Sequence, residues 1–520
     1  MAVFFGVKNK KIFQKMLFFI AYSSFYLQLK GGRKKMANEN LHKAKEAKND
    51  EFYTQLNDVA EELRHYKEHF KDKVIFCNCD DPTWSAFWRY FHLNFEHLGL
   101  KKLISTHYDK EKPTYKMEYT GGNDNDIEAG VKTPLEGNGD FRNQECIDLL
   151  KEADIVVTNP PFSIAREDFI PQLFEHKKKF LIIGDLNWVT YKIIFPLLKN
   201  NEMWMGYSAV KEFLQPDGTI KKFGNKLWFT NLDIKKRHEK LILWKNYTSA
   251  EFPRYDNYDA INVDKVSNIP CDYFESWEVT EDEFKNFSAD EWEVTRTGEL
   301  NGEKSFFIIP AANTELRKLL HEHEAGYKDA IESEIFKNIN KNINNDELPK
   351  GRRAALGSLV IIPELWAYRL HTLTVITPPS LKSSAWRLET LKGLPALTPQ
   401  QEKRARILEE SLNTEESLSK RYCSGIMGVP ITFFDNYNSN QFEILGLTNG
   451  RKEFNRESWP IKRYLNAIQH NKDKSTTNGS KANTRATIIS KDPKGLYYTA
   501  DNTSGKLEIV YARILIRRKL

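Results

Sequence analysis

The stretch Asp154-Ile-Val-Val-Thr-Asn-Pro-Pro-Phe162 decides how this chain folds. Its β-branched run, Ile155 to Thr158, predicts a buried strand, because short apolar runs bounded by turn residues are typical of sheet interiors. Asn159 then offers a side-chain amide oxygen, and Pro160 a carbonyl whose direction the following proline fixes. Two such acceptors can bind both hydrogens of a planar amino group while Phe162 stacks on the attached ring. An ordinary loop closed by Asn-Pro-Pro is the alternative.

The sequence around this stretch alternates between strand and helix patterns. Strands are predicted at 74–77, 103–106, 155–158 and 180–184, and helices at 57–70, 84–98, 146–151, 169–177 and 191–198. This alternation predicts an α/β fold with a doubly wound, mostly parallel sheet. Two more strands, 203–207 and 227–230, are expected to form an antiparallel hairpin at its edge. The Gly-, Asn- and Asp-rich segment 121–139 is expected to be loop.

Three carboxylates are expected at one rim of this sheet. Asp80 and Asp81 follow the strand at 74–77, and Asp140 lies shortly before the strand that leads to Asn159. In doubly wound sheets, ligands bind beyond the carboxyl ends of the strands, near the point where the strand order reverses. Topology alone therefore predicts that these carboxylates and Asn159 share a binding site.

The composition fits a soluble globular protein of two to four domains. The 520 residues are 40% hydrophobic and 28% charged, and the net charge is only +6. Residues 451–520 contain 16 Lys/Arg and 6 Asp/Glu, so 16 − 6 = +10 lies in this last segment. A local basic surface can neutralise phosphates. A solvated charged face is the alternative reading.

The five cysteines indicate neither disulfides nor a zinc site. Cys77 and Cys79 are only two residues apart, which is too close for the usual C-x-x-C ligand pair, and reduced thiols are typical of cytosolic proteins. His321-Glu-His-Glu324 is interpreted as a solvated charged run, because its histidines would face different sides of a helix. We therefore predict no metal and a cytoplasmic location.

The first 35 residues are treated separately from the fold. A basic stretch is followed by an apolar, aromatic run, 16–29, that is short for a membrane span and lacks a clear cleavage site. We interpret Met36 as the natural start and 1–35 as an upstream extension, so no stable membrane association is expected. A genuine membrane anchor is the alternative.

With these residues in hand, the chain resembles the EcoRI-type adenine-specific DNA methyltransferases. The resemblance runs from Asn49-Asp-Glu-Phe-Tyr-Thr-Gln55 to Asn268 and resumes at Gly425-Ile-Met-Gly-Val-Pro-Ile-Thr-Phe-Phe434. It implies a methyltransferase fold, S-adenosylmethionine as the methyl donor and duplex DNA as the partner. The sequence does not give the oligomeric state, although a monomer is favoured. The enzyme would belong to a restriction–modification or phage-defence system. Asn159, Pro160, Pro161 and Phe162 would be its catalytic turn.

The resemblance also implies the residues that bind the donor. Phe52, Tyr53 and Thr54 would line the pocket of its methionine end, and Asp140-Phe141 would contact its adenine through an acidic acceptor and an apolar ring. One departure is that Cys77-Asn-Cys-Asp-Asp-Pro82 replaces the usual glycine-rich loop. S-adenosylmethionine carries no phosphate, so this loop is not obligatory. Asp80 and Asp81 could meet the sulfonium, the ammonium or the ribose hydroxyls. A helix-initiating turn at Pro82 is the alternative.

The implied reaction is direct transfer of the methyl group to the N6 amine of a flipped adenine. Two rival functions remain open. The same turn serves methyltransferases that act on an RNA base amine or a protein glutamine, and a non-catalytic DNA-binding protein could retain the fold. Donor binding would separate the catalytic readings from the last one.

The predicted domains are a catalytic domain at 36–240, a target-recognition region at 241–273 and 423–520, and an insertion at 274–422. The insertion is expected to be α-rich or α+β, and could be a DNA-recognition module, a structural element or a protein-docking surface. Residues 471–487 are expected to be a mobile loop, and 511–518 a strand. Candidates for DNA contact are aromatic and amide side chains that could equally be core and turn residues: Tyr247, Tyr255, Tyr258, Asn436, Tyr437 and Asn438.

Overall fold

A computed structural model describes residues 53–109, 114–162, 164–214, 219–312, 314, 317, 421–449, 460–493 and 495–519. The predictions for 1–35, Phe52, His321–Glu324 and most of the insertion lie outside these described residues.

The strands of the N-terminal half follow the predicted order. They are β1 Tyr53–Thr54, β2 Val74–Cys77, β3 Lys102–Thr106, β4 Tyr115–Tyr119, β5 Val131–Pro134, β6 Ile155–Thr158, β7 Lys179–Asp185, β8 Trp204–Leu214 and β9 Ile220–Thr230. The α-helices between them are α1 Leu56–Leu63, α2 Lys67–Phe70, α3 Ala86–Leu93, α4 Phe95–Leu98, α5 Gln144–Glu152, α6 Ile170–Glu175 and α7 Ile194–Lys199. A π-helical turn, Ala165–Phe169, precedes α6, and a 3-10 turn, Leu186–Thr190, follows β7.

These nine strands form one sheet in the order β1-β8-β9-β7-β6-β2-β3-β4-β5. The four central strands, β3, β2, β6 and β7, pair in parallel, which confirms the predicted parallel centre. From β2 the chain goes to β3 on one side and later to β6 on the other. The strand order therefore reverses at β2, and the loops after β2 and β6 emerge side by side.

Antiparallel strands extend the sheet on both sides. The predicted hairpin is present as β8 and β9, with β9 against β7. On the opposite side, β4 and β5 add a hairpin that was not predicted. The prediction that 121–139 is loop is wrong for β5, whose residues, Val131-Lys-Thr-Pro134, are largely exposed and form only one short run without a buried face.

The buried carboxylate of Glu62 fixes the β8–β9 hairpin to α1. Its Oε1 accepts hydrogen bonds from Tyr66 Oη at 2.8 Å and the amide of Tyr207 at 2.7 Å. Its Oε2 accepts from the amide and the hydroxyl of Ser208, both at 2.7 Å. The register of β8 shifts between Met205 and Ala209, so Glu62 satisfies amides that the irregular pairing leaves to side chains.

The C-terminal half is built mainly from short strands. They are β10 Ile261–Asn262, β11 Glu275–Thr280, β12 Trp292–Leu300, β13 Glu303–Pro310, β14 Tyr422–Ser424, β15 Met427–Pro430, β16 Phe442–Leu447, β17 Ile468–His470, β18 Thr476–Asn478, β19 Thr487–Ser490, β20 Tyr497–Thr499, β21 Lys506–Ile509 and β22 Arg513–Arg518. One short helix, α8 Glu281–Phe284, lies among them. They form three sheets, ordered β10-β15-β22-β16, β12-β13-β11-β14 and β18-β17-β20-β21-β19.

The predicted strand at 511–518 is confirmed as β22, but the expectation of a loop at 471–487 is wrong. That segment holds β18 and a 3-10 turn, Ser480–Thr484. Its strands are short and polar, and β18 is fully exposed. Cross-strand backbone pairing, which apolar periodicity does not reveal, therefore organises this region. The described part of the predicted insertion is mainly β-structure, and β11 at its start pairs with β14 at its end.

The two halves share one hydrophobic core. A single buried cluster extends from Val156 and Phe195 in the N-terminal half to Phe434 and Ile516 in the C-terminal half. Lys199 Nζ donates to the carbonyl of Leu445 at 3.0 Å across the same boundary. The sheet β10-β15-β22-β16 is thus packed against α7, on one face of the nine-stranded sheet.

Candidate functional site

An open cleft lies beyond the carboxyl ends of β2 and β6, with about 600 Å³ of empty volume including its mouth. It brings together most of the residues predicted from sequence. The residues that line it are Tyr53, Thr54, Cys79, Asp80, Asp81, Trp84, Ser85, Ala86, Phe87, Asn159, Pro160, Pro161 and Phe162.

The Asn159–Phe162 turn is held at both ends by backbone structure. β6 is fully buried and delivers Asn159 at the sheet edge. The carbonyl of Pro161 accepts hydrogen bonds from the amides of Ile164 at 3.2 Å and Ala165 at 3.0 Å. The turn therefore runs directly into the π-helical turn, and its position is fixed by the core on both sides.

Asp80 is buried beneath this turn. Its carboxylate accepts hydrogen bonds from the hydroxyls of Thr158 and Ser85, the latter at 3.1 Å, and from the backbone of Asn159. Ser85 is also the N-cap of α3, accepting from the amide of Phe87 at 3.0 Å. Burial raises the pKa of Asp80 to about 7, although these hydrogen bonds oppose the shift. Asp80 therefore joins β6, the Asn159 turn and α3.

Asp81 occupies the outer side of the cleft. Its Oδ1 accepts hydrogen bonds from Tyr115 Oη at 3.0 Å and the Thr83 amide at 2.9 Å, and its Oδ2 lies 3.6 Å from Nε2 of His107. The rings of His107 and Tyr115 stack with centroids 5.1 Å apart. The side chain of Asp81 remains 21% exposed, unlike that of Asp80, so Asp81 can contact a ligand. The unpredicted strand β4 thus supplies the tyrosine that orients it.

Tyr53 and Thr54 reach the cleft through β1. These two residues pair with Leu214 and Phe213 at the end of β8. The hydroxyl oxygen of Thr54 is buried and makes no hydrogen bond with the protein. A buried hydroxyl without a partner is uncommon and costs free energy, so this oxygen is suited to a polar ligand.

Asp140 and Phe141 are not among the residues that line the cleft. Burial raises the pKa of Asp140, but hydrogen bonds and charge from Arg142 outweigh it and lower the pKa overall. The guanidinium binds both carboxylate oxygens, at 2.9 and 2.6 Å, and reaches Asp168 at 3.1 Å. Phe141 is 4% exposed and packs edge-on against Phe169. Asp140 is thus an ion-paired carboxylate and Phe141 a core residue.

Several cleft residues escaped the sequence interpretation. Cys79, Trp84, Ser85 and Phe87 all belong to the segment that replaces the glycine-rich loop or follows it directly. The helix predicted from Trp84 begins only at α3, because Trp84 and Ser85 form a turn that closes on the carbonyl of Asp81. That turn leaves the Trp84 side chain 66% exposed at the cleft. The signal available in the sequence was a tryptophan two residues after Asp81-Pro82.

The candidates for DNA contact divide by burial. Tyr255, Tyr258 and Asn438 are at most 5% exposed, so they are core and turn residues. The Asn438 amide donates to the carbonyls of His238 at 2.9 Å and Glu239 at 3.1 Å. Among the remaining candidates, Asn436 is exposed and Tyr247 and Tyr437 are half-buried.

Comparison with known sequences identifies the family of this chain. The family described as "Adenine-specific methyltransferase EcoRI" matches residues 40–346 and 416–519, which is more than half of the chain. The chain belongs to this EcoRI family of adenine-specific methyltransferases. The predicted enzyme class, an adenine-specific DNA methyltransferase of the type found in restriction–modification systems, is confirmed at the level of the family. The segment that the family does not match, 347–415, lies inside the predicted insertion.

Two relatives illustrate the extent of the similarity. The type II methyltransferase M.EcoRI of Escherichia coli is 42% identical over 321 residues, covering 54% of this chain and 98% of the relative. The type II methyltransferase M.MpnI of Mycoplasma pneumoniae is 38% identical over 255 residues, covering 45% and 78% respectively. No solved structure gives a significant match.

Within the described ranges, no three His, Cys, Asp or Glu side chains are grouped as a metal site would require. No helix in those ranges is both long and apolar enough to cross a membrane. The apolar run at 16–29 lies outside them.

Proposed function

We propose that this member of the EcoRI family transfers a methyl group from S-adenosylmethionine to the N6 amine of adenine in duplex DNA, after flipping the base out of the helix. One observation carries the proposal. The Asn159–Phe162 turn lines the same cleft as Tyr53, Thr54 and Asp81, so acceptors for an amino group adjoin a surface suited to the donor. The enzyme would act in restriction–modification or phage defence.

The residues at the donor end of the cleft fit S-adenosylmethionine. The unpartnered hydroxyl of Thr54 suits a polar group, and the partly exposed carboxylate of Asp81 suits an ammonium or ribose hydroxyls. The exposed ring of Trp84 offers a flat apolar face. When bound, S-adenosylmethionine supplies an electrophilic methyl group on a positively charged sulfur. Asp80 is buried and hydrogen-bonded to Thr158 and Asn159. It would therefore affect the donor only indirectly, by positioning its neighbours in the cleft.

The residues of the turn would bind and orient the base. The lone pair of adenine N6 is conjugated with the ring, which makes the nitrogen a poor nucleophile. Asn159 Oδ1 and the carbonyl of Pro160 would accept hydrogen bonds from its two N–H groups and favour a pyramidal nitrogen, while Phe162 would stack on the ring. Orientation and fixed dipoles would then supply most of the acceleration. Flipping the base costs about a few kcal/mol.

Two features favour a nucleic acid over a protein as the substrate, and membership of the family favours duplex DNA. Phe162 suits a flat base better than the flexible amide of a protein glutamine. The C-terminal segment 451–520 carries the excess of basic residues found in the sequence, and phosphate neutralisation by such residues gives salt-dependent affinity. An RNA base amine remains the second candidate, because the same charge attracts either polymer.

Labelled methyl transfer to duplex DNA, RNA and protein tests the proposal directly. The full chain is compared with Asn159→Ala and with Asn200→Ala, which changes an exposed asparagine outside the cleft. We expect N6-methyladenine in DNA from the chain and from Asn200→Ala, and at least about a hundredfold loss with Asn159→Ala. Label in RNA or protein with none in DNA would contradict the proposal that DNA is the substrate. Absence of both donor binding and methyl transfer would favour a non-catalytic protein.

A further inference from the structure

A buried lysine that plays no part in the chemistry described above lies against the catalytic turn. Lys226 is in β9, directly opposite Asp185 in β7, and its side chain is only 6% exposed. Its ammonium lies 2.9 Å from Asp185 Oδ2, which also accepts from the Asn225 amide at 2.8 Å. Asp185 Oδ1 accepts from the backbone of Asn187 at 2.8 Å. Asp185 of the neighbouring strand β7 therefore holds the Lys226 ammonium in place.

The same ammonium covers the ring of Phe162. Its nitrogen lies 3.9 Å from the ring centroid, well inside the range of cation–π attraction. Phe213 of β8 meets the ring at a right angle with centroids 6.2 Å apart. The hairpin thus holds Phe162 through two contacts. Phe162 lines the cleft and Lys226 does not, so the lysine acts from behind the ring.

This contact has a consequence for what the ring can bind. A cation above one face draws π-electron density towards itself and makes the rest of the ring less attractive to a second cation. A neutral, electron-rich base stacks on such a ring without that penalty. The positively charged sulfonium of the donor gains nothing there. Lys226 therefore biases the Phe162 side of the cleft towards the base and away from the donor.

We propose that Lys226 is a positioning residue, which fixes the orientation of the Phe162 ring and reserves it for the flipped adenine. This inference rests on the proposed function of the Asn159–Phe162 turn. It predicts that losing the ammonium impairs base placement and methyl transfer while donor binding remains intact.

Four variants of the full chain separate this role from general stability. Lys226→Met removes the charge and keeps an unbranched stem, and Lys226→Arg keeps a cation. Lys226→Met leaves the Asp185 carboxylate without its lysine. The double variant Lys226→Met, Asp185→Asn therefore removes the charge of that carboxylate as well. Lys222→Met is the matched control, because Lys222 lies in the same strand, is 79% exposed and pairs with Glu212.

Three quantities are measured for each variant: the single-turnover rate with saturating DNA and donor, the dissociation constant of the donor, and the fluorescence of 2-aminopurine at the target position. We expect Lys226→Met and the double variant to transfer about tenfold more slowly, with altered fluorescence and unchanged donor affinity. Lys226→Arg should recover much of the rate, and Lys222→Met should match the unmodified chain.

Two results would overturn the inference. Recovery of the full rate in the double variant would mean that the unpaired Asp185 carboxylate, and not Phe162, caused the loss. If Lys226→Met transferred methyl groups as fast as the control Lys222→Met, Lys226 would have no positioning role. Absence of transfer by the unmodified chain is a different outcome, which overturns the proposed function and with it the basis of this inference.

Discussion

The carboxylate of Asp80 accepts a hydrogen bond from the hydroxyl of Thr158, the residue directly before Asn159. Asp80 follows β2 and Thr158 ends β6, and these strands are parallel neighbours in the sheet. Asp80, which lies 78 positions before Thr158 in the sequence, therefore stabilises the strand end from which the Asn159–Phe162 turn begins. Four consequences of the structure can be measured.

The first prediction concerns the pH dependence of stability. Because burial raises the pKa of Asp80 to about 7, the folded protein holds this proton more tightly than the unfolded chain. The contribution of Asp80 to stability is thus complete below about pH 4 and is lost as the pH rises through about 7. We expect Asp80→Asn to lessen the fall in the free energy of unfolding between pH 5 and 8. Urea titrations at both pH values measure it.

The matched control for Asp80 is Asp290→Asn, which changes an exposed carboxylate and should leave the pH profile as it is. Methyl transfer should fall in Asp80→Asn while donor affinity changes little, because the amide cannot accept every hydrogen bond that reaches the carboxylate. An Asp80→Asn protein with the same pH profile as the unmodified chain would contradict the raised pKa.

The second prediction concerns the orientation of Asp81. Tyr115→Phe removes the hydroxyl that donates to Asp81 at 3.0 Å but keeps the ring that stacks on His107. Loss of one hydrogen bond of this kind is worth about 1 kcal/mol. We expect donor affinity, measured by titration calorimetry, to weaken about fivefold with little change in melting temperature. Unchanged affinity, equal to that of the exposed-site control Tyr511→Phe, would show that Asp81 does not bind the donor.

The third prediction separates core packing from donor contact at Asp140-Phe141. Phe141→Ala would leave a cavity beside Phe169 and should destabilise the protein by about 3–5 kcal/mol. The resemblance implied instead that this ring contacts the adenine of the donor. Thermal unfolding and donor titration of Phe141→Ala and Asp140→Asn decide between these roles. A large loss of affinity in a Phe141→Ala protein of normal stability would favour the donor contact.

The fourth prediction concerns the junction between two C-terminal sheets. Arg517 of β22 lies 2.7 Å from Glu275 of β11 and 2.9 Å from Glu443 of β16, and the Glu275 side chain is only 4% exposed. Arg517→Met would leave this carboxylate buried without its cation, at a cost of about 3–5 kcal/mol. Chemical denaturation measures the loss. Adding Glu275→Gln should recover part of it, and no recovery would show that the arginine acts through packing alone.

Local sequence predicted the strand that leads into the Asn159–Phe162 turn and the parallel centre of the sheet. A buried β-branched strand has an apolar pattern that is visible in the sequence, and Asn-Pro-Pro-Phe restricts its own backbone whatever surrounds it. Parallel topology then predicted that Asp80, Asp81, Asp140 and Asn159 would lie at one rim. Asp80, Asp81 and Asn159 line a single cleft, whereas Asp140 is not among its lining residues.

The tertiary structure alone decided how each of these residues is used. The sequence does not distinguish the neighbouring carboxylates of Asp80 and Asp81. In the structure, Asp80 is buried and accepts hydrogen bonds from the hydroxyls of Thr158 and Ser85. Asp81 is partly exposed, so it can contact a ligand. Phe141 is a core residue because α6 and its preceding turn pack over it. Lys226 reaches Phe162 only because β9 pairs with β7. Contacts between residues distant in the chain depend on sheet order and burial, which no local pattern encodes.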